Sequence, residues 1–226
     1  MKLHKYTLLL LVLFVFGSAK AQKGFHLGLH GGLNNVSLVD QNKFGDVEYE
    51  YDMKLGSTLG FVGGFNFTHL MGIQVEANWA EAGQRFIMAK NGAWEEKDIS
   101  LSYFQIPVML KLTGGAHKVR FTAMAGPQWG FLNKATIHTV SDSTGITDED
   151  AKSRFAKTDF GFVVAGGSEF ALAGNFFGSA QLRFNYGISS LNPDDLNVVL
   201  AGDEADLHNV AIGIYVGVHY MFPAAE

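Results

Sequence analysis

Apolar and polar residues alternate along most of the chain with a period of two, the spacing of a strand whose two faces meet different surroundings. Eight segments carry the pattern. The first sets Phe25, Leu27, Leu29 and Leu33 against His26, Gly28, His30 and Gly32, and the second, from Thr58 to Phe67, sets Leu59, Phe61, Phe65 and Phe67 against Thr58, Gly60, Gly64 and Asn66. The third opposes Ile73, Val75, Ala77 and Trp79 to Gln74, Glu76 and Asn78. The fourth opposes Phe104, Ile106, Val108, Leu110 and Leu112 to Gln105, Pro107, Met109 and Lys111. Proline has no N–H for a ladder, so a bulge is predicted at Pro107.

The fifth segment runs from Val119 to Phe131, with Arg120, Thr122, Met124 and Gln128 on its polar face, and the sixth runs from Phe160 to Phe170, with Glu169 facing away from Phe162 and Val164. The seventh places Ala180, Leu182, Phe184 and Tyr186 opposite Ser179, Gln181, Arg183 and Asn185. The eighth places Val210, Ile212, Ile214, Val216, Val218, Tyr220 and Phe222 opposite Gly213, Tyr215, Gly217 and His219. No segment has the 3.6-residue period of a strong amphipathic helix.

Connections between these segments alternate in length. Long ones span about Asn34 to Ser57, Gly83 to Asp98, Asn133 to Asp159 and Gly187 to His208; short ones lie near Thr68 to Gly72, Thr113 to Lys118 and Ala171 to Asn175. In an up-and-down barrel every second connection shares a rim. The expected fold is therefore all-β, an eight-stranded antiparallel up-and-down transmembrane β-barrel, with long loops on one side and both termini on the other.

Volume decides which face points inward. An eight-stranded barrel has room inside for its own side chains or one small ligand. The bulky Phe, Leu, Ile and Val set overfills that space, whereas the glycine-rich polar set fits it, so the apolar face is assigned to lipid. Trp79, Tyr103, Trp129 and Tyr186 fall at the long-loop ends of their strands, while Phe67, Phe170, Tyr220 and Phe222, with Phe25 and Phe176, fall at the short-turn ends. Two aromatic girdles of this kind sit at membrane interfaces. The expected lumen network comprises Gln74, Glu76, Gln105, Lys111, Arg120, Glu169, Arg183, Asn185 and His219, with the two carboxylates paired to the three cations. Such a lumen is plugged, since open pores belong to larger barrels. The competing soluble reading is a lipocalin-like barrel that binds a ligand inside.

Composition adds the compartment. Lys2 and Lys5 precede an apolar run from Leu8 to Phe16 and the triplet Ala19-Lys20-Ala21, which has the order of a cleaved secretory signal. The expected organisation is a signal peptide over 1–21 and a barrel domain over 22–226. The formal charge of −5 becomes −8 once Lys2, Lys5 and Lys20 are removed, which disfavours nucleic acid as a partner. Cysteine is absent, which excludes disulfides, thiolate metal sites and a cysteine nucleophile.

The fourth segment's Tyr103-Phe104-Gln105-Ile106-Pro107-Val108-Met109-Leu110-Lys111 carries a family likeness, together with Gly72-Ile73-Gln74-Val75-Glu76, Ala125-Gly126-Pro127 and Arg183-Phe184-Asn185-Tyr186-Gly187. On these motifs the chain resembles the PorT-like outer-membrane β-barrel family of Bacteroidetes. The resemblance implies an integral barrel in the bacterial outer membrane, long loops extracellular and termini periplasmic. It also implies contacts with outer-membrane lipids and, as for some members, with proteins of secretion, gliding or envelope assembly. The family's motifs mark strands and turns and transfer no catalytic role.

Three patterns bear on chemistry. His26, His30 and His219 fall on inner faces of strands that become neighbours on closure, and imidazoles so placed are metal-ligand candidates. No carboxylate with ligand spacing accompanies them, so a hydrogen-bonded lumen is the expected state and no cofactor is assigned. Ser168, within Gly166-Gly167-Ser168-Glu169-Phe170, resembles part of a nucleophile elbow but lacks the second flanking glycine and the following helix. A lipid-modifying enzyme is thus the alternative to a non-enzymatic structural or interaction role. Asp46, Glu48, Glu50 and Asp52, and Asp194, Asp195, Asp203, Glu204 and Asp206, make two long loops acidic, as exposed loops or cation sites are.

Overall fold

The computed structural model describes residues 23–40, 50–52, 54–90, 93–116, 118–141, 145–191 and 207–222. The expected signal segment 1–21 and the acidic positions Asp46, Glu48, Asp194, Asp195, Asp203, Glu204 and Asp206 lie outside them. The strands are β1 Gly24–Asp40, β2 Glu50–Asp52, β3 Lys54–Asn66, β4 Met71–Lys90 and β5 Ala93–Ala116, then β6 Val119–Ser141, β7 Gly145–Asp150, β8 Thr158–Ala171, β9 Phe176–Gly187 and β10 Leu207–Met221.

Eight of them form a closed antiparallel ring in the order β1, β3, β4, β5, β6, β8, β9, β10, with β10 returning to β1. The short strands β2 and β7 are appended to β4 and β6. Closure pairs the N-terminal and C-terminal strands, for instance Leu27 with Tyr220 and Leu33 with Ile214. A closed ring leaves no open sheet edge within the wall, which lipid requires.

The short turns are built from local chemistry. Thr68 Oγ1 accepts from the N–H groups of Leu70 and Met71 at 3.2 and 2.8 Å, and Gly174 supplies a left-handed residue (φ +56°) between β8 and β9.

The long connections differ from expectation. Strands run through much of them: β4, β5 and β6 have 20, 24 and 23 residues, although about 9–11 suffice to cross a membrane. Within the lipid-facing zone Leu27, Leu29, Phe61, Leu182 and Ile214 are exposed on the outside and polar groups are buried inside. Beyond it the phase inverts. Val36, Leu38, Ala82, Ile99, Leu101, Leu132, Ala135 and Ile137 point inward and are buried with Phe155, Leu191 and Leu207, while Ser100, Ser102, Lys134 and Thr136 lie on the outside. The wall thus changes from a membrane barrel to one with the apolar interior of a water-soluble protein.

The expected bulge is displaced. Pro107 keeps its register, opposite Gln128, and the register shift falls at Ser102/Tyr103, where Asn133 is the unpaired extra residue of β6. The proline is accommodated by gaps in the ladders on both sides: Glu76 and Ala77 are unbridged on β4, and Gly126 and Pro127 are unbridged to β5. A ladder can lose single bonds at proline without a change of register.

Candidate functional site

The lumen holds two ion-pair clusters at different heights. Glu76 on β4 receives Arg183 from β9 as a two-bonded fork, Nη1 to Oε2 at 2.6 Å and Nη2 to Oε1 at 2.9 Å. Two flanking amides complete the carboxylate: Gln74 Nε2 donates to Oε1 at 2.7 Å and Asn78 Nδ2 to Oε2 at 2.9 Å. Arg183 lies 4.3 Å above the ring of Tyr215 and is 2 % exposed. Both carboxylate oxygens of Glu76 are thus satisfied by protein groups, the condition under which a buried pair is tolerable.

Nearer the short turns, Glu169 on β8 takes Lys111 Nζ at 2.5 Å and Arg120 Nη2 at 2.8 Å on its two oxygens. Arg120 also covers the ring of Phe177 at 4.2 Å, and Phe177 stacks on His219. Met109, Met124, Val163 and Ala165 form a small apolar cluster in the same lumen, so the interior is not polar throughout.

The histidines are held by amides. Because Asn78 Nδ2 donates to Glu76, its Oδ1 is an acceptor, and His30 Nε2–H donates to it at 2.7 Å. By the same logic His26 Nε2–H donates to Gln74 Oε1 at 3.4 Å. The rings of His26 and His219 lie 5.7 Å apart, and His219 Nε2 is 3.6 Å from Glu169 Oε1. Among the described residues no three His, Asp or Glu side chains are grouped to hold a metal ion. His30 joins the Glu76 cluster and His219 the Glu169 cluster, with His26 between them.

Glycines on the inner face make room for these side chains. A Cβ on Gly60 would stand 2.8 Å from His30 Nε2, and one on Gly32 would stand 2.7 Å from the Tyr215 ring.

Gln105 and Asn185 are inward but join neither cluster by a hydrogen bond. They line a cavity of about 20 Å³ with Asn34, Thr58, Gln128 and Asp159, the space of a single water. Asp159 accepts from Ser189 Oγ at 2.9 Å and Asn209 Nδ2 at 2.8 Å, fastening the segment after β9 and the start of β10 to the wall. The contributions of Asn78, Tyr215 and Asp159 were not singled out by sequence. Asn78 and Tyr215 share the polar phase of their strands, but their partners lie across the ring.

The aromatic bands are mostly where alternation puts them. Trp79 touches Phe61 and Phe104, Trp129 touches Phe160, and Tyr186 stacks on His208. Tyr220 sits between Phe176 and Phe222, Phe25 meets Phe65, and Phe67 and Phe170 are exposed at the same rim. Tyr103 is a correction: it is 0 % exposed and belongs to the apolar interior with Leu101 and Leu132. It shares the inward phase of Gln105 and Leu101, and nearness to a strand end does not override that phase.

Ser168 lies on the outward phase of β8, paired with Phe121 and Ala180, whereas His26, His30 and His219 are inside the wall. These three histidines cannot reach it as a base.

The family described as outer membrane protein beta-barrel domain matches residues 18–192. Among curated proteins, none matches the chain. Similar solved structures include the neisserial surface protein A (14 % identity, TM-score 0.48, 90 % of this chain and 100 % of that one) and OprG of Pseudomonas aeruginosa (12 %, 0.49, 92 % and 100 %). Ail, the attachment invasion locus protein of Yersinia pestis, is similar at 11 % identity and TM-score 0.41, over 88 % of this chain and 99 % of that one.

Proposed function

Since this chain belongs to the outer membrane protein beta-barrel domain family, we propose that it is an outer-membrane barrel closed to flow, with a non-enzymatic role exercised through contacts of its long-strand end. The Glu76–Arg183 fork carries this reading, because it joins opposite walls of an eight-stranded ring and is sealed above by the apolar interior around Leu101 and Leu191. A solute crossing the barrel has to break a buried, doubly bonded ion pair and then pass through an apolar core. The long strands point outward from the cell and the short turns face the periplasm in this reading. That orientation gives the contact surface to lipids of the outer leaflet and to partner proteins. A place beside secretion, gliding or envelope-assembly machinery follows from the PorT-like motifs quoted above.

Planar-bilayer recording of the refolded protein tests closure. The reading expects no stepwise conductance from the wild-type chain, and steady channels of uniform size refute it. An enzymatic reading has less support, since Ser168 and the three lumenal histidines His26, His30 and His219 are on opposite sides of the wall. Hydrolysis of phospholipid by the purified protein, abolished by Ser168→Ala, would restore it.

A further inference from the structure

Between the Glu76–Arg183 fork and the apolar interior around Leu101, one layer of the lumen belongs to neither. Asn34 of β1, Gln105 of β5, Gln128 of β6, Asp159 of β8, Asn185 of β9 and Asn209 of β10 line the cavity of about 20 Å³ there. The Oδ1 atoms of Asn34, Asn185 and Asn209 are buried without a hydrogen-bond donor. Chemistry fixes the turn of Asn209: its Nδ2 donates to Asp159 Oδ2 at 2.8 Å, and a carboxylate only accepts, so Oδ1 points the other way. Asn34 is 2 % exposed; its Nδ2 is taken by Thr58 Oγ1 at 2.9 Å, and its Oδ1 lies over Gly213, where a Cβ would overlap it. Gly187 makes the same room for Asp159, since a Cβ there would stand 3.0 Å from Oδ1.

Asp159 is the unbalanced charge of this layer. It is 6 % exposed, and among the described residues its partners are the neutral Ser189 hydroxyl and Asn209 amide. The titratable neighbour on β10, His208, has its Nδ1 on the Gly187 carbonyl oxygen at 3.0 Å. Tyr103 of β5, with its hydroxyl buried and unpartnered, brings no positive charge. Arg183, one inward step along β9 from Asn185, is neutralised by Glu76. Lys111 and Arg120 exceed Glu169 by one charge, but Glu169 is ten residues along β8 from Asp159, roughly 33 Å at strand spacing. A buried carboxylate without a counter-charge is costly.

A water fills the volume without meeting the chemistry. It brings two hydrogens to three amide oxygens and leaves the charge uncompensated. A hard cation answers both demands, because carboxylate and amide oxygens are its ligands. We propose that this cavity binds a single sodium ion, with Asp159 as the anionic ligand and the Oδ1 atoms of Asn34, Asn185 and Asn209 as neutral ones. The single carboxylate selects a monovalent ion, since affinity for calcium rises with the number of charged ligands. The small volume favours sodium over the larger potassium ion. Bound there, the ion fastens β1 and β10, the strands that close the ring, to β8 and β9.

The test uses the full chain purified in detergent, with heat unfolding followed by tryptophan fluorescence. Exchanging N-methylglucamine chloride for sodium chloride at constant ionic strength is expected to raise the midpoint by about 3 °C or more, as binding to the folded state alone requires. Retention of radioactive sodium at about one ion per folded chain reads the same site directly. Asp159→Asn is expected to abolish both responses, whereas Glu149→Gln on the exposed strand β7 keeps them. Where Asp159→Asn does not fold, Asn185→Asp decides: the added carboxylate is expected to shift preference at least about tenfold from sodium toward calcium, and no shift overturns the site. Equal wild-type midpoints in the two salts with no sodium retained show a cavity holding water only and overturn it as well. A wild-type midpoint raised by calcium and not by sodium overturns the monovalent assignment. A sodium response unchanged in Asp159→Asn puts the ion elsewhere and overturns the proposal.

Discussion

Arg183 and Glu76, 107 positions apart in sequence, are joined by two hydrogen bonds from strands that stand opposite each other in the eight-membered ring. Ladder pairing ties each strand only to its neighbours, so this fork is a cross-brace. Glu76→Gln leaves Arg183 buried without a counter-charge and is expected to cost about 3–5 kcal/mol, the range for breaking one side of a buried pair. The double variant Glu76→Gln with Arg183→Met is expected to recover part of that loss. Denaturant unfolding in detergent, followed by tryptophan fluorescence, measures both; a double variant weaker than the sum of the singles refutes the cross-brace.

Inner glycines separate from outer ones. Gly60→Ala drives a methyl into Asn78 and His30, and overpacking of this kind costs about 1–3 kcal/mol. Gly166→Ala, outward with nothing within 4 Å, is expected to be neutral or slightly stabilising. Equal effects at the two positions would show that the lumen is looser than drawn.

Charge tolerance is expected to reverse with height along the wall. Leu29→Lys, on the lipid face, costs about 2–4 kcal/mol if it sits near the bilayer midplane. Ser100→Lys, outward on the upper wall, is tolerated, whereas Leu101→Lys beside it buries a charge in the apolar interior and prevents stable folding. Heat-modifiable gel migration sorts the three.

Depth-dependent quenching by brominated lipids distinguishes the aromatic bands from the plug. Trp79 and Trp129, each studied as the sole tryptophan, are expected to be quenched equally by lipids brominated near the headgroup. A tryptophan installed by Tyr103→Trp is expected to escape quenching, because that position is enclosed by Leu101 and Leu132. Strong quenching there would return Tyr103 to the girdle.

The membrane part of this fold was legible in sequence because lipid outside and a narrow lumen inside impose opposite chemistry on alternate residues. The inward phase of Gln74, Glu76, Lys111, Arg120, Glu169 and Arg183 follows from alternation alone. Which carboxylate meets which cation does not, since Glu76 and Arg183 meet through ring closure and not through a ladder. The upper wall escapes the sequence pattern for a related reason. Val36-Ser37-Leu38 and Ile99-Ser100-Leu101-Ser102 keep the period of two, but their apolar residues occupy the phase that is polar below. A search for one constant phase ends a strand where the solvent changes. For Tyr103 the side to which the residue points, and not its place near a strand end, decides its surroundings.

The unpaired Asn133 acts on β6 as an inserted letter acts on a reading frame. Below it even-numbered residues such as Gln128 and Leu132 are interior, and above it odd-numbered ones, Ala135 and Ile137, take that place. Removing this one residue would restore strict alternation from Leu132 through Lys134 to Ala135, with the same apolar residues still inside and the bulge gone. Flattening the bulge while keeping Asn133 would instead turn Ala135 and Ile137 outward, so it is the bulge that decides which residues of the upper strand the core receives.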